Sequence, residues 1–368
     1  MSQWYSIENA HEVASPALLL YPDRIEENLR RMIAMAGDVS RLRPHVKTHK
    51  LPQVIAMKLA VGIGKFKTST FAEAEMTAAA GGLDILLAYQ PVGPNVGRFI
   101  KLIQAFPKTR FSTLVDNTES LHEMSVAAVS AGVVANLYVD LNVGMDRTGI
   151  VVGLRSAELY RLMSATEGVH AAGLHAYDGH LHEPDVELLE SQTRQVFEPV
   201  WKLRDQLRRE GFSVPLVIAG GTPTSGLLSV EADVEVGAGT TVLWDFGQEE
   251  ISPTLRFQNA AVLLARVISR PTEDRICIDL GHKAVASEMT PPRVRWFGLE
   301  DAIPVVHSEE HLVLQVPDSS RFPVGTVLYG VPRHVCPTVA LHQEVWCVED
   351  RKAIERWPVL ARNRRLSI

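Results

Sequence analysis

Apolar and polar positions follow two different rhythms along this chain. From Asp23, the residues Ile25, Leu29, Met32, Ile33 and Ala36 recur at helical spacing. Beyond them come eight short runs of β character, at 41–47, 64–69, 83–88, 110–116, 134–141, 169–176, 214–219 and 233–236. The intervals between them carry helix-like segments, such as FAEAEMTAAAGG after the second run, VGRFIKLIQAF after the third and SAELYRLMSATEG after the fifth. Strand then helix, repeated about eight times, predicts a parallel (β/α)8 barrel of TIM type over residues 15–250. An open doubly wound sheet is the alternative, because no sequence feature imposes closure.

After about residue 250 the texture changes. RFQNAAVLLARVISRP, RICIDLGH, HLVLQVP, VGTVLYGVP and EVWCVED are short, rich in β formers and punctuated by Pro and Gly. They predict a mostly antiparallel β domain over 251–368, on which residues 1–14 can pack. Composition adds exclusions. With 46% hydrophobic and 22% charged residues, wholesale disorder is excluded. A net charge of -6 speaks against nucleic acid as a partner, since phosphate neutralisation needs clustered cations. No apolar run is long enough to span a membrane. The start MSQWYSIENAHEVASPALLLY has no basic segment leading a long apolar core, and three cysteines cannot build a disulfide framework. The expectation is a cytoplasmic enzyme.

In such barrels the reacting groups stand at the C-terminal ends of the strands, and phosphate often binds after strands seven and eight. Ala219-Gly220-Gly221-Thr222 follows the seventh run, and Gly237-Ala238-Gly239-Thr240-Thr241 the eighth. Small residues let backbone N–H groups approach an anion, and threonine hydroxyls add donors. In the first run, RLRPHVKTHK, alternation puts Arg43, His45 and Lys47 on one face, which points into the barrel mouth. A lysine held among cations sheds its proton more readily, which suits a Schiff base on Lys47. Arg147 follows the fifth run and is either a surface cation or a fixed charge at a cofactor ring. The sixth run ends in LHAYDGHLHE, where His175, His180 and His182 crowd around Tyr177 as candidate general bases. In the β domain, RHVCPT places His334 and Cys336 two apart, on one face of a strand, and their nitrogen and sulfur suit zinc. His307-Ser308-Glu309-Glu310-His311 offers further ligand types upstream.

The order of PALLL, RPHVKTHK, GMDRTG, AGGT, GAGT and HVCPT resembles the D-threonine aldolase/D-serine dehydratase family, from about residue 14 to the C-terminus. The resemblance implies an alanine-racemase-like fold, bound pyridoxal 5'-phosphate and a divalent metal, zinc or manganese, beside the substrate. Residue by residue it implies Lys47 as the Schiff-base lysine and Arg147 and Tyr177 as cofactor-lining groups. Gly221, Thr222, Gly239 and Thr240 fall in the phosphate turns, and His334 with Cys336 matches the metal pair. Two departures bear on the reaction. Aldolases resembling this chain carry Asp where Cys336 stands, whereas the dehydratases carry Cys. Aldolases also place a histidine beyond the sixth strand, and His182, shifted by about one residue, stands near that place with His180 beside it. The resemblance therefore implies a lyase of D-3-hydroxy amino acids. Its leading reaction is retro-aldol cleavage to glycine and an aldehyde, and its alternative is deamination to a 2-oxo acid and ammonia. An amino-acid racemase and a cofactor-carrying regulatory barrel are the further readings, and fold analogy suggests a homodimer.

Overall fold

The structure, a computed structural model, describes residues 3–368. It opens with β1 (Ala17–Leu20) and α1 (Pro22–Ala36), in which Ile25, Leu29, Met32 and Ala36 are buried as their spacing predicts. Seven parallel strands then follow in sheet order: β2 (Lys65–Thr68), β3 (Asp84–Leu87), β4 (Arg110–Val115), β5 (Ala135–Asn142), β7 (Val169–Ala176), β8 (Val217–Ala219) and β9 (Val234–Val236), while the short β6 (Ile150–Val151) pairs with β5 from outside that path. The eighth barrel strand is reduced to two parallel bridges, Leu42 to Val236 and His45 to Lys67. These bridges join β9 to β2, so the ring is closed and the open doubly wound alternative is set aside.

Helices occupy the strand-to-strand intervals: α2 (Pro52–Ala60), α3 (Phe71–Ala79), α4 (Pro94–Ala105), α5 (Thr118–Ala131), α6 (Leu154–Ala165), α7 (Val186–Arg209) and the single turn α8 (Ser225–Leu228). Their starts are written in the sequence. Thr70, Asn117 and Asp185 each accept a backbone N–H of the first helical turn of α3, α5 and α7. Inside the ring, Leu86, Leu114, Tyr138, Ala172 and Ile218 from five strands pack into one apolar layer.

The second sheet contains β10 (Ala261–Thr272), β11 (Arg275–Ile278), β12 (Val294–Trp296), β13 (Ile303–His307), β14 (Leu312–Gln315), β15 (Val327–Pro332), β16 (Glu344–Glu349) and β17 (Lys352–Pro358), with β1 between β10 and β16. Every pairing in it is antiparallel except that of β1 with β16. Leu19, Val262, Leu264, Val13 and Tyr21 form its core. Contacts divide the chain differently from the 15–250 and 251–368 boundaries. The β unit takes in the chain up to Arg31, Thr48–Leu51 and Thr240–Arg362, and the barrel unit takes the rest, including Asn363–Ile368. The reason is local: β1 hydrogen-bonds to β10 and β16 and so belongs to their sheet.

Candidate active site

The barrel unit holds a cavity of about 450 Å³ at the C-terminal ends of its strands, lined by His45, Lys47, Lys67, Asp140, Arg147, His175 and Tyr177 among others. The segment that brings Lys47 there is not a full strand. Its extended part spans the bridges at Leu42 and His45, and Val46–Thr48 is a 3₁₀ turn. Arg43 also departs from expectation. It points inward but is sealed beneath the mouth, 1% exposed, with its guanidinium 2.6 Å from both Asp84 and Glu235. It is a structural ion pair, as a buried arginine must be, and not part of the cavity wall.

Two groups that sequence reasoning passed over complete the electrostatics. Lys67, on β2, is 4% exposed, and its ammonium stands 5.4 Å from the Tyr177 ring. Burial first, then Lys47, pulls the Lys67 amine down to about 7. Asp140, at the end of β5, sits 2.6 Å from Nδ1 of His175. The imidazole is fixed by that contact, and its Nε2 is buried without a hydrogen-bond partner. Burial and then Lys67 lower the His175 pKa despite Asp140, which disfavours the charged ring. The Arg147 guanidinium also stands over Tyr177, 5.0 Å from its ring. The signal for Lys67 was present as a charge inside the short strand KFKT.

The structure brings some expected residues together and leaves others apart. Gly221 is buried, but its N–H donates to Asp178 at 2.6 Å, and Thr224 donates to the other oxygen of that carboxylate at 2.6 Å. In this conformation the Gly221 amide is committed to Asp178, while Thr222 is half-buried. Gly239 is buried and ends the barrel unit's run; Thr240 falls in the β unit. His180 and His182 do not line the 450 Å³ cavity. His180 packs against Gly144, with Nδ1 buried and unpaired, and His182 is exposed.

The β unit assembles a second cluster. His334 and Cys336 are close, but not on a strand: His334 is the N-cap of α10 (Val335–Leu341), and Cys336 lies in its first turn. Pro337 belongs to that same turn, where a missing N–H costs nothing. Asp245, at the head of α9 (Phe246–Ile251), accepts the Val335 N–H at 2.8 Å and so sets where the helix begins. Glu288 holds Nδ1 of His334 at 2.5 Å, and the imidazole also hydrogen-bonds the Cys336 thiol. The Cys336 thiol reaches the hydroxyls of Thr48 at 3.2 Å and Thr240 at 3.6 Å. Burial works against the charge on His334, but Cys336 and Glu288 raise its pKa to about 9. The 307–311 segment does not join them: His307 bonds Arg293, and Glu309 and Glu310 pair with Lys283. Among the described residues no three His, Cys, Asp or Glu side chains form a metal cluster, so the pair stands alone.

A closed parallel barrel with a lysine at its mouth, followed by a β unit carrying a nitrogen–sulfur pair, defines a class of enzyme, and comparison with known proteins agrees. The family model "Alanine racemase, N-terminal domain" matches residues 21–242, and the model "Putative serine dehydratase domain" matches residues 260–348. A D-threonine aldolase of Arthrobacter sp. is 32% identical over 95% of this chain and 93% of its own length. A 3-hydroxy-D-aspartate aldolase of Paracoccus denitrificans is 27% identical over 96% of this chain and 93% of its own. The crystal structure of D-threonine aldolase from Filomicrobium marinum superposes with a TM-score of 0.89 at 27% identity, covering 98% of both chains. The chain therefore belongs to the D-threonine aldolase/D-serine dehydratase family of alanine-racemase-like lyases.

Proposed function

We propose that this protein is a pyridoxal 5'-phosphate- and metal-dependent lyase that cleaves D-3-hydroxy amino acids by a retro-aldol reaction. The observation that carries the reading is the placement of Lys47 in the mouth of a closed barrel, in one cavity with Arg147, Tyr177 and a carboxylate-held His175. The residues fit the cofactor. The cavity offers an amine, two further cations and an imidazole nitrogen that lacks a partner. When bound, pyridoxal phosphate supplies an aldehyde for amine condensation and a sink for the electrons of the broken bond. Lys47 would be the amine that holds the cofactor and releases it to the substrate amine. Arg147 and Tyr177 would orient its ring, and Gly221, Thr222, Gly239 and Thr240 would lie in the turns that take its phosphate. His182, with His180 as the second candidate, takes the proton of the 3-hydroxyl as the Cα–Cβ bond breaks, leaving glycine and an aldehyde.

His334 and Cys336 would hold a divalent ion, zinc or manganese, whose chemistry is to polarise a substrate oxygen. The nitrogen and sulfur donors, and the carboxylate of Glu288 behind the imidazole, support that assignment. Cys336 favours a second reading, deamination to a 2-oxo acid, because a thiolate stands there in the dehydratase branch of the resemblance. The enzyme works as a homodimer in the cytoplasm in this reading. Product analysis with D-threonine and D-serine, with and without chelator, is the test. Acetaldehyde and glycine from D-threonine, lost on chelation, are expected. Faster release of pyruvate and ammonia from D-serine gives the dehydratase reading the lead.

A further inference from the structure

Lys67 has no assigned task in the reaction above, yet it is the more buried of the two lysines that line the cavity. Among the described residues its ammonium has no ion pair within 4 Å, and its charged neighbours act on it at longer range. The attractive ones, Asp140 and Asp178, are each taken by other donors: Asp140 by His175, Asp178 by Gly221 and Thr224. A buried ammonium without a counter-ion is a costly arrangement, and proteins relieve it by pairing.

The position of the amine says what would pair with it. A Cβ at Gly237 would lie 3.4 Å from Lys67 Cδ and 3.7 Å from Nζ, and the same point is 3.7 Å from the carbonyl of Gly220. The tip of Lys67 thus sits against the glycine turns that follow β8 and β9, where glycine lets backbone and lysine approach together. We propose that Lys67 is an anion anchor of the barrel cavity, placed to hold an oxyanion of the bound molecule at the Gly220 and Gly237 turns. On the functional reading given above, that oxyanion is the phosphate of pyridoxal phosphate; the anchor itself rests on the geometry of Lys67 and the two turns. Lys67 touches the cofactor in this view, while Lys47 remains its point of attachment. Burial disfavours the lysine charge, and an oxyanion at Nζ restores it.

The test uses the full chain stripped of cofactor, with three probes: inorganic phosphate, pyridoxal phosphate and pyridoxal, which lacks the phosphate. Inorganic phosphate is expected to raise the Tm of the wild-type chain but not that of Lys67→Met. The same substitution should weaken pyridoxal phosphate binding by about 10- to 100-fold, the worth of one charge-assisted hydrogen bond. Pyridoxal binding should be unchanged, and Lys67→Arg should keep most of the phosphate response. Because methionine removes a buried charge while filling similar space, the phosphate-free Tm of Lys67→Met should equal or exceed that of wild type. Equal binding of phosphate and pyridoxal phosphate by Lys67→Met and wild type overturns the anchor. So does a loss that is as large for pyridoxal as for pyridoxal phosphate, since Lys67 would then act on the ring. If wild type develops no visible band with pyridoxal phosphate while its Lys67-dependent phosphate response persists, the functional reading fails and the anchor stands.

Discussion

Two histidines in this molecule are held in the same way, yet their pKa values are shifted in opposite directions. His175 in the barrel and His334 in the β unit each place Nδ1 against a carboxylate, at 2.6 Å from Asp140 and 2.5 Å from Glu288. The first has its pKa lowered, by burial and by Lys67, while the second is raised to about 9. The orienting carboxylate therefore does not decide the charge; the rest of the surroundings do. Around His175 stand Lys67 and Arg147, a field that favours anions. Around His334 stand Cys336, Glu288 and Asp245, a field that favours cations. The field around one ring suits an anion and that around the other a cation, and the same histidine–carboxylate device fixes both rings.

If both carboxylate-held histidines are fixtures, the histidine that moves a proton is one of the pair without such a partner. His182→Ala, or failing that His180→Ala, should lower retro-aldol turnover by about 10²–10⁴-fold while bound metal stays stoichiometric. Near-normal rates in both variants, with a collapse in His175→Ala instead, would break the comparison by making the barrel fixture the base.

A smaller effect is expected behind the metal pair. Glu288→Gln keeps the shape but removes the charge that orients His334, and should weaken metal binding by about 10- to 100-fold. The check is metal titration of the stripped protein, with the visible band of the bound cofactor as a control that should not change. Wild-type metal affinity in Glu288→Gln would reduce that carboxylate to a surface ion pair.

The smallest effect concerns a third histidine. Burial, then Arg293 and His282, lowers the His307 pKa from the usual 6.5 to about 4. Between those values the unfolded chain binds more protons than the folded one, so stability is full above pH 6.5 and is lost as pH falls toward 4. The group is partly exposed, which limits its share to about 1 kcal/mol after solvent screening. Denaturant titrations at neutral and mildly acid pH should show the loss, and His307→Gln should shrink it. An unchanged pH slope in that variant would show that cationic neighbours do not set the charge of this ring.

The strands were legible because barrel staves are short apolar runs between polar turns, and all eight predicted runs lie on the observed ring. What the pattern could not give was where backbone geometry changes within a run. Alternation through RLRPHVKTHK carried the first strand to Lys47, but Val46–Thr48 curls into a 3₁₀ turn. The same reasoning put His334 and Cys336 on a strand. Pro337 in a first helical turn was a readable hint, whereas the Asp245 cap comes from 90 residues away and has no local signature. Arg43 looked like a member of the site because its acid partners, Asp84 and Glu235, lie on other strands. Lys67 was missed for the converse reason: a lysine on a short strand reads as solvated until the ring closes over it.

That closure has a bearing on how the protein matures. The stave that carries Lys47 is the seam of the ring, stitched to Val236 on one side and to Lys67 on the other. A nascent chain emerges with the lysine early and its far neighbour almost two hundred positions later, so the amine spends most of synthesis without its walls. On the reading proposed above, a coenzyme held at Lys47 would be retained only once the last stave has come into register with the first. Loading would then report a finished ring, and a chain arrested before Val236 would leave the ribosome empty-handed.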